Sequence, residues 1–518
     1  MSDISLAWGA ASGIALLFLI VVFKQRADKS TYPGPRGWPI IGNLLDLRST
    51  QPLLKHPGKA FRDWGRQCAS RAVSLQIPGA SMLVFNHIKD VQELLAKRST
   101  IYTDRPRAVM LNEMMGGDSL LPFMKYNERF KVTRKIFHQL TTTKEIVRPN
   151  QVQAVRRLLR RLLDGSSDYD KHVRLMTGDF ILSSSYGITP QSAEEPYIKR
   201  SNNLVILVSE PNQRDKYIAD VFPWLKYLPA WFPGATFKKT ALDARQHFAD
   251  ARELPFQHVQ DQMAKGTAKP SLAAHFIDAI QSGPDSSEVK VRKMNELAAS
   301  LGNTNAAIWS YILLIALHPE VQRKGQAALD NVLNGRLPTF EDWNTIPYVD
   351  AIVNEIFRYS PITPLGVPHV TRTDDVNEGH FIPKGTMVFG NLWALLREEE
   401  IYGPNIDEFI PERFLNQEGQ VDSTKNYYLY DTAFGWGRRI CPGKDLAHEM
   451  LWLTAASLLA TFDITNPVDA DGKPIDPVGI NDKYTQRPVS MPPFFTVTVK
   501  PRSPVVESLI REDIEEVF

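Results

Sequence analysis

The sequence predicts a mainly α-helical protein with a minor β portion, built as one large domain behind an amino-terminal membrane helix. Long stretches repeat apolar residues at helical spacing, and β-type alternation is confined to a few short segments. One uncharged apolar run stands near the amino terminus.

The apolar run comes first in the chain. Residues 6–23 read LAWGAASGIALLFLIVVF and carry no charge. A helix of that length rises about 27 Å, close to the hydrocarbon thickness of an endoplasmic reticulum bilayer. Lys24, Arg26 and Lys29 follow the run, whereas Asp3 alone precedes it. The positive-inside rule then leaves the remaining polypeptide in the cytosol, behind a single-pass anchor in the endoplasmic reticulum membrane. A cleaved signal peptide is the alternative, although no basic segment precedes the run. Residues 1–23 are thus expected to be the anchor. Residues 24–45 form a basic, Pro/Gly-rich hinge containing Tyr32-Pro33-Gly34-Pro35-Arg36-Gly37-Trp38-Pro39, whose prolines prevent a continuing helix.

The body, residues 46–518, has no internal repeat or low-complexity tract. Helical periodicity marks 152–163, 291–317, 321–333, 348–359 and 446–461. Residues 72–85 alternate apolar and β-branched side chains around Pro78-Gly79, the pattern of a hairpin. Short strands are predicted at 386–389 and 495–500, and the Gly/Ser/Asp-rich patches at 164–168 and 282–287 read as surface loops.

Composition narrows the chemistry. Lys and Arg number 60 against 58 Asp and Glu, a net charge of +2, which gives no global attraction for nucleic acid. The only cysteines are Cys68 and Cys441, too few for a disulfide framework or a zinc site of several thiolates. Sulfur can act here as a single ligand or a single nucleophile.

A lone cysteine is more often an inert core residue than a ligand. The frame of Cys441 argues otherwise: Phe434-Gly435-Trp436-Gly437-Arg438-Arg439-Ile440-Cys441-Pro442-Gly443. Glycines on both sides permit a tight turn against a flat ligand. Pro442 suits the first position of a following helix, whose amino end would favour thiolate over thiol. The stretch resembles the F-x-x-G-x-R-x-C-x-G signature of cytochromes P-450 at every fixed position. Chance would produce that match in about one in ten thousand chains of this length.

Glu355 and Arg358 stand three apart on a predicted helix, by themselves no more than a surface ion pair. Phe409-Ile410-Pro411-Glu412-Arg413-Phe414 follows downstream. The resemblance implies that Arg413 joins Glu355 and Arg358 in a buried triad beneath a haem. It extends over essentially the whole chain. YPGPRGWPIIGN, YTDRPR, LHPEV, GVPH and FIPKG are similar to fungal microsomal members, nearest the branch containing O-methylsterigmatocystin oxidoreductase.

The resemblance implies a cytochrome P-450 fold with residues 46–518 as the catalytic haem domain. Cys441 would be the axial thiolate ligand of a haem b iron, with Phe434, Gly435, Gly437 and Gly443 around the ring. Arg439, His369 and Arg134 would meet the haem carboxylates, with Arg105 a secondary partner. Phe130 stands where the family has Trp and offers no N–H, so one carboxylate hydrogen bond is expected to be missing or replaced. On the distal helix the family carries A/G-G-x-D/E-T, whereas this chain reads Ser300-Leu301-Gly302-Asn303-Thr304-Asn305. Thr304 would be the hydrogen-bond donor on the oxygen-facing side. Asn303, unless the alignment slips by one, occupies the acid's place and can orient water without releasing a proton.

No Gly-rich dinucleotide fingerprint follows a strand, so NADPH is expected to act indirectly, through NADPH–cytochrome P-450 reductase. Arg129, Lys131, Lys135, Arg438 and Lys444 would form the docking face, with a solvated charge run as the alternative. The expected reaction inserts one oxygen atom of O2 into a lipophilic small molecule, such as a terpenoid or polyketide of secondary metabolism. Pocket walls would come from the loop after Arg107, residues 222–237, the distal helix, 361–368 and 492–495. Residues 222–237 (FPWLKYLPAWFPGATF) either meet membrane lipid or pack in the core. Two other readings stay open: an isomerase or dehydratase that rearranges a peroxide without reductase, motivated by Asn303, and a non-enzymatic haem sensor.

Overall fold

The computed structural model describes residues 31–515 apart from 39–40, 44, 47–55, 78–79, 166–168, 201–217, 282–303 and 486–487. The expected anchor, the basic start of the hinge, the 282–287 loop and Asn303 lie outside the described residues. Among the described residues no helix is long and apolar enough to cross a membrane.

The longer helices, in chain order, begin with α1 (Pro57–Gln67), α2 (Glu128–Thr141), α3 (Lys144–Asp164) and α4 (Tyr169–Tyr186). Then come α5 (Thr236–Ala264), α6 (Leu272–Gln281), α7 (Thr304–Leu317) and α8 (Pro319–Leu333). The last are α9 (Pro347–Tyr359), α10 (Ser423–Ala433), α11 (Lys444–Thr461) and α12 (Pro504–Glu515). Helices α1, α8 and α9 open on a proline, whose fixed φ and missing N–H suit a first turn.

The core lies where α7, α9 and α11 meet. Helix α7 is apolar on every side, and Ile308, Tyr311, Leu313, Leu314 and Ile315 are fully buried. The Tyr311 hydroxyl donates to the Ala455 carbonyl at 3.1 Å and ties α7 to α11. Every residue of α9 from Val349 to Tyr359 is buried. The predicted helices are all present where described, with α3 and α11 longer than their apolar patterns. Helix α4 was not legible, because Thr177, Asp179 and Ser183–Ser185 are buried and break its apolar stripe.

The main sheet has the order β1-β2-β6-β3. Strands β1 (Ala72–Ile77) and β2 (Ala80–Phe85) form the expected antiparallel pair. Strand β6 (Met387–Gly390) runs parallel to β2, and β3 (His369–Val370) pairs antiparallel with β6. Two smaller ribbons join β4 (Asp375–Asn377) to β5 (His380–Ile382), and β7 (Phe462–Val468) to β8 (Thr496–Pro501).

The described part of the hinge packs on these strands. Tyr32 is buried, stacks on His380 at 4.2 Å and accepts from Asn377 Nδ2 at 2.6 Å. The Ser74 N–H donates to the Pro33 carbonyl at 2.9 Å. A Cβ on Gly34 would stand 1.8 Å from the Ser74 carbonyl oxygen, so only glycine allows that approach.

Candidate active site

An internal cavity opens between α2, α7, the α10–α11 connection and the β3–β6 corner. Phe434 ends α10, and the turn through Gly437–Arg439 leads to Cys441. The Cys441 N–H donates to the Phe434 carbonyl at 2.8 Å, which closes the loop around the thiol. Gly435 lines the cavity with φ of +78°, and a Cβ there would meet nothing within 4 Å. Its face is therefore bare toward the open space.

Gly437 departs from expectation. It does not line the cavity; a Cβ on it would meet the Leu95 carbonyl oxygen at 2.4 Å and Ser99 Cβ at 2.8 Å. The fixed glycine of the signature serves packing against residues 92–99, with φ of +54° also favouring glycine. Helix α11 starts at Lys444 with Gly443 at its cap, so Pro442 precedes the helix and does not open it.

Cys441 is exposed to the cavity and enclosed by protein elsewhere. Burial pushes its thiol above the usual range, against the opposing pull of the Gly443 N–H and the Arg134 guanidinium. The Gly443 N–H at the helix start pulls toward thiolate, and burial opposes it. Desolvation is the larger effect, and a bound metal cation would displace the thiol proton.

Arg439, Arg134, Arg105 and His369 all line the same cavity. Arg439 donates from Nε to the Thr103 carbonyl at 2.7 Å, while its Nη1 and Nη2 are buried with no protein partner among the described residues. Its guanidinium packs over the face of Phe130, 3.9 Å from the ring centroid. Phe130 is itself buried. Arg105 spends its donors on backbone: Nε reaches the Pro122 carbonyl and Nη1 the Val367 and Pro368 carbonyls, each at 2.8 Å. It acts chiefly as a staple holding the cavity rim.

Beneath the cavity, Glu355 and Arg358 are fully buried and Arg413 nearly so. Arg358 Nε and Nη2 meet the two Glu355 oxygens at 2.6 and 2.8 Å, and Arg413 Nε donates to Glu355 Oε1 at 3.1 Å. The remaining guanidinium donors reach the backbone carbonyls of Leu396, Ile406, Tyr402 and Asn405. The triad expected from the resemblance is assembled, and it ties α9 to the irregular chain from 396 to 413.

On the opposite wall, α7 contributes Ala307. Thr304, three residues earlier, is the first residue of the same helix. Asn305 bonds instead to the Thr177 hydroxyl on α4, away from the cavity.

Residues 222–237 do not line the cavity among its described walls. Trp224, Tyr227 and Trp231 are 61%, 77% and 80% exposed, which rules out core packing for them.

A flat tetrapyrrole fits these residues: a thiol in the wall, a bare glycine face, and orphaned guanidinium donors beside an apolar space. Such a constellation defines a haem-thiolate site. The cytochrome P-450 family model matches residues 32–486, and the chain belongs to that family. It is similar to the cytochrome P-450 monooxygenase eriA of Hericium erinaceus, at 42% identity over 99% of this chain and 96% of the relative. It is 35% identical to the monooxygenase ple1 of Rhodocybe pseudopiperita over 92% and 91% of the two chains. The tryptamine 4-monooxygenase of Psilocybe cyanescens matches at 35% over 86% and 88%. The protein is a cytochrome P-450 monooxygenase.

Proposed function

We propose that the protein inserts one atom of O2 into a neutral, lipophilic small molecule, such as a terpenoid or polyketide, with NADPH electrons delivered by a membrane reductase. The observation that carries the substrate class is the cavity wall. Leu121, Phe180, Ala307, Ile362, Leu365 and Val367 line it, and no Asp or Glu does among the described residues. A protonated amine of the kind named by the tryptamine relative would be buried there without a counter-ion, at a cost of several kcal/mol or more. A neutral apolar substrate gains from the same wall.

A bound haem would supply oxygen activation at its iron. Cys441 would hold its iron, Gly435 and Phe434 would let the ring lie close, and Arg439 and Arg134 would meet its carboxylates. Thr304 donates a hydrogen bond on the substrate side. Asn303, an amide where the family carries an acid, orients water and leaves proton supply to solvent.

Residues 1–23 would hold the enzyme on the endoplasmic reticulum membrane, with the exposed Trp224, Tyr227 and Trp231 in contact with lipid. Lys135, exposed, and Lys444, half-buried, belong to the face that would meet an acidic reductase surface.

The test is expression with a supplied reductase, a carbon monoxide difference spectrum and a screen of neutral metabolites. A ferrous carbon monoxide band near about 450 nm reports thiolate ligation and is lost in Cys441→Ser. NADPH-dependent product formation supports the reading. Turnover of a hydroperoxide without NADPH would favour the isomerase alternative that Asn303 motivates.

A further inference from the structure

His369 sits on β3, is buried, and lines the cavity beside Arg105 and Arg439. Its Nδ1 lies 2.6 Å from the Tyr102 carbonyl oxygen. A carbonyl oxygen can only accept, so Nδ1 carries a hydrogen. In a neutral ring Nε2 is then a bare lone pair, and no protein donor reaches it among the described residues.

The surrounding charges keep the ring neutral while the cavity holds only protein. Arg105 and Arg439 face it from residues 102–105 and from the turn before Cys441, and Arg134 on α2 lines the same space. The one acid nearby, Asp104, accepts from the Arg105 and Tyr126 N–H groups. Strand β6 adds no titratable group. Burial and the two arginines hold the imidazole well below its usual pKa.

A carboxylate is also a pure acceptor. Against a bare Nε2 it would set lone pair against lone pair, so a neutral His369 cannot serve the role proposed for it above. We propose that haem enters this site together with one proton from solvent, which binds Nε2 of His369. The ring becomes an imidazolium that donates from Nδ1 to Tyr102 and from Nε2 to a haem carboxylate. No bond is broken and nothing is oxidised. His369 is a positioning residue whose grip on the cofactor depends on pH.

The sign follows from linkage. Haem raises the pKa of His369, so its grip is complete at low pH and is lost as pH rises through the imidazolium pKa of the loaded protein. This inference rests on the reading of His369 as a carboxylate partner, and the experiment separates the two. Haem transfer from the full-length ferric holoprotein to a scavenging apo-globin is followed between about pH 6 and 10. The wild type should lose haem about tenfold faster at the alkaline end, the loss of one charge-assisted hydrogen bond. His369→Arg, with a fixed charge, should stay flat across that range. A flat wild-type profile, or one that His369→Arg reproduces, overturns the proton step. If His369→Gln leaves haem loss unchanged at every pH, the carboxylate-partner reading itself fails. The nitrogen-15 resonances of ring-labelled histidine in the diamagnetic ferrous carbon monoxide form give a second readout, of the proton itself. Below the transition they should show Nε2 protonated in the resonance that His369→Gln removes, and a bare Nε2 there overturns the proposal.

Discussion

The guanidinium of Arg439 lies 3.9 Å from the centroid of the Phe130 ring, with both of its terminal nitrogens buried and unpartnered by protein among the described residues. Phe130 stands where the family carries Trp, a change that removes an N–H from the haem site. What it keeps is the aromatic face. Here that face orients a cation with two unpartnered donors, and under the proposed function Phe130 would serve a haem carboxylate through Arg439.

Phe130→Leu keeps most of the volume and removes the ring face. A partly desolvated cation–π contact is worth about 1–2 kcal/mol, so haem transfer to a scavenger should quicken about five- to thirtyfold. Phe130→Tyr retains the face and should stay near wild type. Equal rates in the Leu and Tyr variants would show that the stacking has no part in holding the cofactor.

The Glu355 carboxylate is the shared counter-charge of two buried guanidinium groups, and it also accepts the Ile410 N–H at 2.8 Å. Glu355→Gln preserves shape and one acceptor while leaving Arg358 and Arg413 without a counter-charge. Removing one partner of a buried ion pair costs about 3–5 kcal/mol, a large part of a domain's stability. The variant should express with little haem and unfold at distinctly lower denaturant. A wild-type denaturation midpoint would show that the backbone carbonyls around the two arginines suffice.

These two sites show where sequence was a good guide and where it was not. Cys441, its signature and the Glu355–Arg358 spacing are local patterns, visible in a few consecutive residues. The Arg439–Phe130 stack joins residues far apart in the chain, and nothing in either neighbourhood announces the other. Gly437 was assigned to the cofactor because it belongs to the signature, yet its constraint is the carbonyl of Leu95, again remote in sequence. Helix α4 escaped for another reason. Its Asp179 is fully buried and paired with Arg157 at 2.6 Å, so polar residues occupy core positions and the apolar period disappears.

Glu398 is a half-buried carboxyl beside the Ile88 backbone. Its Oε1 accepts the Ile88 N–H at 2.6 Å, and burial pushes its pKa from 4.5 up to about 7. A raised folded-state pKa means that its contribution is fully present below the unfolded value of 4.5 and is lost as pH rises to about 7. Glu398→Gln keeps an acceptor for Ile88 without the charge. It should stabilise the protein by about 1–3 kcal/mol at pH 8, with the gain fading towards about pH 4.5. Thermal melts at the two pH values check this, and an equal shift at both would remove the titration from the explanation.

Trp224 and Trp231 are exposed on a segment whose Lys226 is held by Glu113 at 2.6 Å. That ion pair fixes the segment to residues 107–115, whose Met110 N–H also donates to Asp220 Oδ1 at 2.9 Å. An ordered surface that exposes indole rings fits a bilayer interface, where an aromatic body sits among acyl chains and its N–H stays hydrated. In vesicles containing brominated lipid, the full-length protein should therefore show tryptophan quenching, and replacing Trp224 and Trp231 together by Leu should remove a clear share of it. Quenching that is unchanged in the double variant would place these rings in water and confine membrane contact to the amino terminus. Glu113→Gln should reduce the quenching less than the double variant does. It loosens the segment through Lys226 and Arg107 but leaves both indoles available to lipid.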